Sequence, residues 1–450
     1  MANVAVIGCG YVGVVSSACF AKLGHDVTCI DIDADRISAL RMGRSPIYEP
    51  ELDALVQEGL ASGRLHFLDD YPDQLDARVV FIAVNTPGSQ EGAADLRAVR
   101  DAVATVATRI GPGTVLVNKS TVPIGTGEIV HGMAHRNGNG PFAVVSNPEF
   151  LREGSAVHDF LHPERIVLGS DDAWAIDMVA ELYAGLRPAI QRVDIRTAEM
   201  IKYASNAFLA TKISFINEMA AICEALGADV REVATGMGMD SRISPHFLYA
   251  GLGWGGSCFP KDVRALTHMA EAHGAHPQLL RSVSEINHHQ RLRVLAKLRS
   301  SLGPLEGRRV LVLGASFKGN TDDTRNSPAL ELVRLLLLEG ATAVVHDPVV
   351  RPERIAEGAP GAVCAASILE GADGAEAAVI ATEWDDYREL DFVNLRARMA
   401  RPLIVDARNL LDGRAARAAG FEYRCVGRPG EEGLPFPVTP ALAVPTGVER

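Results

Sequence analysis

No apolar run in the chain approaches the roughly 20 residues of a membrane-spanning helix, and the leucine run at 335–338 falls far short. Positive charge is not in excess either. With 44 Lys+Arg against 56 Asp+Glu the net charge is −12, which argues against a general surface for nucleic acid or anionic lipid. Any anionic ligand must therefore meet a local basic pocket. Cysteine is scattered: the seven, at 9, 19, 29, 223, 258, 364 and 425, are odd in number and never stand as C-x-x-C, so neither a disulfide framework nor a zinc site is indicated. No clustered His/Asp/Cys set suggests another metal. Met1-Ala2-Asn3 lacks the basic charge of a signal peptide, and Gly8, Gly10 and Gly13 interrupt the apolar start. These absences predict a cytoplasmic globular protein with no metal, no membrane contact and no nucleic-acid partner.

What the chain does have is length and apolar content. At 450 residues and 47% hydrophobic it exceeds what one core usually serves, so two or three domains are expected. A short β-branched run at 3–7 leads into Gly8-Cys9-Gly10-Tyr11-Val12-Gly13 and then an alanine-rich helical pattern to Leu23. In a strand–turn–helix of this kind the first glycine permits the tight turn, the second lets the backbone approach a pyrophosphate, and the third lets helix and strand pack closely. A second strand, 25–30, ends at Asp31, about 20 residues on, where an acid binds the ribose hydroxyls of NAD and repels the extra phosphate of NADP. Arg36 is either a solvated helix residue or a partner for an adenosine phosphate.

Further strand-like runs at 79–84, 115–118 and 143–146, with a helical stretch at 95–110, predict right-handed crossovers and a parallel sheet. Each run ends in a polar turn, which places Thr86, Thr121, Glu149 and Glu153 at the carboxyl ends of strands, where open parallel sheets bind ligands. A long helix is expected over 197–226, with Lys202 and Asn206 one turn apart on one face. Lys202 either snorkels to solvent or shares a polar pocket with Asn206, where it would stabilise an oxyanion. The glycine-dense stretch 236–254 holds Arg242, Phe247, Tyr249 and Gly251, and reads either as a mobile loop or as one that moulds around a sugar or base. Next comes Gly255-Gly256-Ser257-Cys258-Phe259-Pro260-Lys261-Asp262, ahead of a helix at 263–273 that Asp262 would cap. Cys258 is either a buried small hydrophobe or a covalent catalyst. In the second case its thiolate holds an aldehyde as a thiohemiacetal, which oxidises to a thioester that water hydrolyses.

From residue 306 a second α/β unit is expected, with strands at 309–313, 343–346, 377–380 and 403–405 and a helix at 327–338. Its first turn, Gly314-Ala315-Ser316-Phe317-Lys318-Gly319, lacks G-x-G-x-x-G, so it should hold no second dinucleotide. The expected fold is α/β: two Rossmann-like doubly wound domains, 1–196 and 301–427, joined by a long central helix and a small helical domain over 197–300. Residues 428–450 read as a flexible tail.

Taken together, Gly8-x-Gly10-Tyr11-Val12-Gly13, Asn147-Pro148-Glu149-Phe150-Leu151-Arg152-Glu153-Gly154, Lys202-x-x-x-Asn206, the Cys258 octapeptide and Phe317-Lys318-x-x-x-Asp322-Asp323-x-Arg325 resemble the UDP-glucose/GDP-mannose dehydrogenase family, in family order to about residue 412. The resemblance implies NAD-dependent oxidation of a nucleotide-sugar C6 alcohol to a carboxylate, with two NAD reduced. It makes Cys258 the nucleophile, Lys202 the oxyanion stabiliser and Asp262 an aid to the attacking water. It puts Glu153 on water and cofactor, with Asn206 and Thr121 completing the catalytic set. It implies cofactor contacts from Gly8, Gly10, Tyr11, Val12, Gly13, Asp31, Arg36, Thr86, Thr121, Glu153, Lys261 and Arg325. Substrate contacts would come from Glu149, Phe150, Leu151, Arg152, Glu153, Lys202 and Asn206, from Arg242, Phe247, Tyr249, Gly251, Gly255 and Phe259, and from Phe317, Lys318 and Arg408.

Asp240-Ser241-Arg242-Ile243-Ser244 resembles the branch acting on UDP-glucose, which would place Arg242 in a neighbouring subunit's site and implies a homodimer or larger assembly. Ser244 stands where that branch often has glycine, and Trp254 where phenylalanine or tyrosine is usual. The alternatives are GDP-mannose or another nucleotide sugar, a two-electron β-hydroxyacid dehydrogenase, which would need no cysteine, and a non-catalytic NAD-sensing protein.

Overall fold

The structure is a computed structural model and describes residues 1–89, 92–138, 142–430 and 432; most of the expected tail, 433–450, lies outside the described residues. The chain forms two compact units, one of Met1–Ala207 with Lys261–Pro277, the other of Phe208–Pro260 with the chain from Gln278 onward. The long helix Ile195–Leu226, about 48 Å at 1.5 Å per residue, and the helix Phe259–Ala272 each contribute to both.

The first unit is built on strands β1 (Asn3–Ile7), β2 (Asp26–Ile30), β3 (Leu65–Leu68), β4 (Val79–Ile82), β5 (Val115–Asn118), β6 (Ala143–Ser146), β7 (Arg165–Gly169) and β8 (Ala189–Val193), in the spatial order β3-β2-β1-β4-β5-β6-β7-β8. Their central runs, such as Val79-Val80-Phe81-Ile82, are wholly buried because helices cover both faces, so they read as unbroken apolar segments rather than alternating ones. Val4, Val6, Val79 and Phe81 enter the core on one face, and Ala5, Ile7, Val80 and Ile82 the core on the other. Each fully buried valine or isoleucine contributes about 1.5–3 kcal/mol. The expectation of a parallel sheet holds except at β6–β7, which meet antiparallel through Ser146 and Gly169.

The second unit carries β9 (Arg309–Leu313), β10 (Thr342–His346), β11 (Val363–Cys364), β12 (Ala377–Ile380), β13 (Leu403–Asp406) and β14 (Glu422–Cys425), all parallel, in the order β11-β10-β9-β12-β13-β14. That order repeats the first six strands of the larger sheet. In both sheets it reverses beside the first strand, the place where a doubly wound fold opens a crevice.

Candidate active site

The chain turns after β1 at Gly8, whose φ of +100° and closeness to the Ala83 carbonyl oxygen (2.7 Å from an added Cβ) admit only glycine. A Cβ at Gly13 would fall 1.8 Å from the Gly8 carbonyl oxygen, so the helix Tyr11–Lys22 starts hard against the turn. Gly10 differs: an added Cβ there meets only Asn85 Oδ1, at 3.7 Å, so the backbone faces open space. As N-cap, Gly10 gives the helix no side-chain cap, which leaves its first N–H groups and the positive end of its dipole available to an anion. Asp31, just past β2, accepts the Cys9 N–H at 2.6 Å and Arg36 Nη1 at 3.0 Å. Arg36, a partly exposed helix residue, also lies 3.3 Å from Asp33, so its charge is held between two acids. An open glycine cradle, a bare helix N-terminus and an acid after β2 fit the pyrophosphate and ribose of NAD. Nearby, the Thr86 hydroxyl donates to the Thr121 carbonyl at 2.8 Å, joining the turns after β4 and β5.

Lys202 does not snorkel. Its Nζ lies 2.7 Å from Glu149 Oε1, and the two side chains are 4% and 7% exposed. One turn on, Asn206 Nδ2 donates to Asp262 Oδ2 at 2.6 Å, and Lys261 Nζ donates to Asp262 Oδ1 at 2.7 Å. Burial pushes the Glu149 carboxyl up, but the Lys202 charge and hydrogen bond, the Leu151 N–H and the Lys119 charge together bring it below the usual carboxylate range. The result is a buried Lys202–Glu149 pair and, one turn on, a buried Asn206–Asp262 contact with partly exposed Lys261 on the second carboxylate oxygen, a set able to stabilise a developing oxyanion and to hold a water. The Phe150 ring lies 5.5 Å from Lys202 Nζ and 3.9 Å from the Arg165 guanidinium. Leu151 packs on the core. Arg152, expected at the substrate, turns outward into a two-pronged pair with Asp159 at 2.9 and 2.6 Å.

In the second unit, partly exposed Cys258 directly precedes the helix Phe259–Ala272, at an end that attracts negative charge. Because that helix begins at Phe259, Asp262 lies inside its first turn and is not the expected N-cap. Within and just beyond the glycine-dense stretch, residues 250–256 are buried against their own unit, whereas most of 239–247 is exposed. An added Cβ at Gly251 would meet the Ala407 carbonyl oxygen at 2.8 Å, at Gly255 the Asn326 carbonyl oxygen at 2.2 Å, and at Gly256 the Phe317 ring at 2.8 Å. Trp254, the unusual residue there, is a core group whose Nε1 donates to Ser214. Ser244 has φ +66°, which explains why glycine suits that position.

Arg408, expected at the substrate, donates to the carbonyls of Ala381, Gly253 and Phe317 at 2.7–3.2 Å and pairs with Glu383, so it ties the turns after β9, β12 and β13 to the glycine loop. Arg242 is exposed and pairs with Asp240 at 2.6 Å, and Arg325 pairs with Asp323 at 2.7 Å. Lys318 lies over the Phe317 ring at 5.7 Å, Phe247 and Phe259 meet at 6.4 Å, and Tyr249 is exposed.

Two residues escaped the sequence reading. Lys119, at the end of β5, is buried among Phe81, Phe160 and Tyr183 and donates to Asn147 Oδ1 at 3.2 Å. Burial, then the Lys202 charge, lowers its pKa to about 8. Its one signal was a charge directly after an apolar strand. Glu49 receives the Tyr11 hydroxyl and the Gly154 and Ala156 N–H groups. It sits in an aperiodic loop that offered no signal.

Fold and turn together define a dinucleotide-binding protein with two Rossmann-like sheets. The family description narrows this: residues 2–187 match the NAD binding domain of the UDP-glucose/GDP-mannose dehydrogenase family, 196–289 its central domain and 311–413 its UDP binding domain. The chain belongs to that family and is an oxidoreductase that uses NAD. It is 44% identical over 436 residues to a UDP-glucose 6-dehydrogenase of Bacillus subtilis, covering 96% of this chain and 95% of that one. It is 45% identical over 438 residues to the UDP-glucose 6-dehydrogenase of Rhizobium meliloti, covering 95% and 100%. Among solved structures, a UDP-glucose dehydrogenase from the archaeon Pyrobaculum islandicum superposes with a TM-score of 0.86 at 39% identity, covering 94% of this chain and 97% of that one.

Proposed function

We propose that the protein oxidises the C6 alcohol of UDP-glucose to the carboxylate of UDP-glucuronate, forming two NADH per sugar. The observation that carries this reading is the buried row Lys202–Glu149 and Asn206–Asp262, whose last acid stands four residues after Cys258. Relatives at 44–45% identity named for UDP-glucose support the sugar. GDP-mannose and other nucleotide sugars are the alternative substrates.

NAD, when held by residues 1–196, would supply the hydride acceptor for each of the two oxidations. Cys258 Sγ adds to the C6 aldehyde, and the thiohemiacetal, once oxidised, is a thioester. Lys202 stabilises the oxygen as it gains negative charge, Asn206 holds the sugar, and Asp262 and Glu153 orient the water that releases the acid. Residues 1–196 would bind NAD, 197–300 carry the catalytic helices and Cys258, and 301–427 grip the nucleotide. Phe208, Phe215, Ile222 and Leu226 form an exposed apolar stripe on the long helix. The stripe supports a homodimer and, with it, a role for Arg242 in a neighbouring subunit's site.

The test adds limiting UDP-glucose to enzyme with excess NAD and follows NADH absorbance, with GDP-mannose in parallel. Two NADH per UDP-glucose is expected. One would mean that the aldehyde escapes, and two from GDP-mannose alone would replace the sugar but keep the chemistry. Cys258→Ser should slow release of the acid by about a thousandfold or more. A fully active variant would overturn covalent catalysis.

A further inference from the structure

We propose that Glu49 is a positioning residue, one carboxylate that ties the cofactor helix to the peptide carrying Glu153. The inference rests on the reading of Glu153 as a group that touches the attacking water and the cofactor.

Glu49 lies between the helices Ala34–Arg41 and Leu52–Ala61, and its residue is 8% exposed. A buried carboxylate is costly unless its lone pairs are engaged. Here they are engaged by groups distant in sequence: Oε1 accepts the Ala156 N–H at 2.7 Å, and Oε2 accepts the Gly154 N–H at 2.7 Å and the Tyr11 hydroxyl.

Two of these partners belong to the reaction machinery. The Gly154 N–H lies in one rigid peptide plane with the Glu153 carbonyl, so the bond fixes the backbone where the Glu153 side chain departs. Gly154 has φ +81°, a conformation other residues rarely adopt, so the chain pivots there and an outside anchor sets its direction. Tyr11 is the first residue of the helix that follows the glycine turn. Burial, then the Glu49 hydrogen bond and charge, with a further contribution from Glu153, raise its phenol above the ordinary tyrosine range. The hydroxyl therefore stays protonated and donates to Glu49. A shift of about 1 Å in a positioned group costs roughly a hundredfold in rate, and the Glu153 peptide would be free to make such a shift without its anchor.

The experiment compares Glu49→Gln, Glu153→Gln and the double variant by kcat and KM with UDP-glucose and NAD, and by thermal melting. Glutamine keeps the shape of the side chain but turns an N–H2 toward a donor. Glu49→Gln should lower kcat tenfold to a hundredfold, leave KM for the sugar within about twofold, and melt near wild type. The double variant should be no slower than Glu153→Gln alone, because Glu49 acts through Glu153. Losses that multiply, or wild-type kcat in Glu49→Gln, overturn the proposal. A fully active Glu153→Gln instead removes the reading of Glu153 on which it rests. Should Glu49→Gln not fold, Tyr11→Phe decides: its severalfold loss of kcat must vanish in the Glu153→Gln background, and a loss that persists there overturns the proposal.

Discussion

After β1 the chain turns at Gly8 and is helical again by Tyr11; after β9 it turns at Gly314 and is not helical until Pro328. The two turns share their first requirement. Gly8 and Gly314 have φ of +100° and +108°, and each is pressed by the next strand's end, at Ala83 in one sheet and Thr382 in the other. They part at the third residue. Gly10 leaves open space above a bare helix N-terminus, whereas Ser316 turns its hydroxyl and N–H inward to Asp347. Asp347 follows β10 as Asp31 follows β2, but it is closed off by the N–H groups of Ala315, Ser316, Val349 and Val350 and by Trp384 Nε1. The same strand order thus carries an open turn beside a bare helix N-terminus in one sheet and, in the other, a turn whose third residue hydrogen-bonds the acid after the second strand. A helix start next to the turn and a missing side chain make the difference.

Gly10→Ser gives the first turn the pattern of the second and is the sharpest way to break this comparison. KM for NAD should rise about tenfold or more, with the melting temperature little changed, because the added Cβ meets one atom at ordinary contact distance. NAD binding measured by NADH fluorescence checks it. Unchanged affinity would mean that the pyrophosphate does not lie over Gly10.

The reverse test is Trp384→Phe. It removes the indole N–H from Ser316 Oγ (3.2 Å) and Asp347 Oδ2 (3.3 Å), in the turns after β9 and β10. A buried acceptor left without its donor costs about 1–3 kcal/mol, so urea unfolding should shift by roughly that amount while KM for NAD stays put. A change in NAD affinity would show that the second crevice is not independent of the cofactor.

What could be read ahead of the structure follows the same physics. The glycine turn and the central strands were legible because they depend on neighbours in sequence. β8 was not: Ala189–Val193 is mostly exposed and is a strand only through pairing with β7. Lys202 and Asn206 were legible as one helix face, but their acids, Glu149 and Asp262, lie 53 and 56 residues away, and no local pattern chooses them. Glycine density was legible but reports close approach without saying of what; at Gly251 it is the Ala407 carbonyl oxygen and, just past the stretch, at Gly255 and Gly256 the Asn326 carbonyl oxygen and the Phe317 ring.

The smallest effect separates the sheets one strand further along. β5 is followed by Lys119, whereas its counterpart β13 ends in Asp406, buried and held by the Leu411 N–H and the Tyr423 hydroxyl, each at 2.8 Å. Burial raises the Asp406 carboxyl, favouring its neutral form, while Lys119 faces Glu149 and Lys202 as well as Asn147 and Tyr183. With its pKa lowered to about 8 from 10.5, the folded chain gives up the Lys119 proton before the unfolded chain does. Below pH 8 both states hold the proton and folding bears the cost of a buried cation. As pH rises through 8 that cost is relieved, so this group makes the protein more stable toward pH 10. Between pH 7 and 9 the gain is about 1 kcal/mol. Lys119→Met has no proton to lose, so the stability difference between wild type and variant should move in favour of wild type by that amount across those two pH values. Urea midpoints for the transition that includes the first unit measure it. A difference that stays constant with pH would mean that Lys119 keeps its charge throughout, with Glu149 compensating the burial in full.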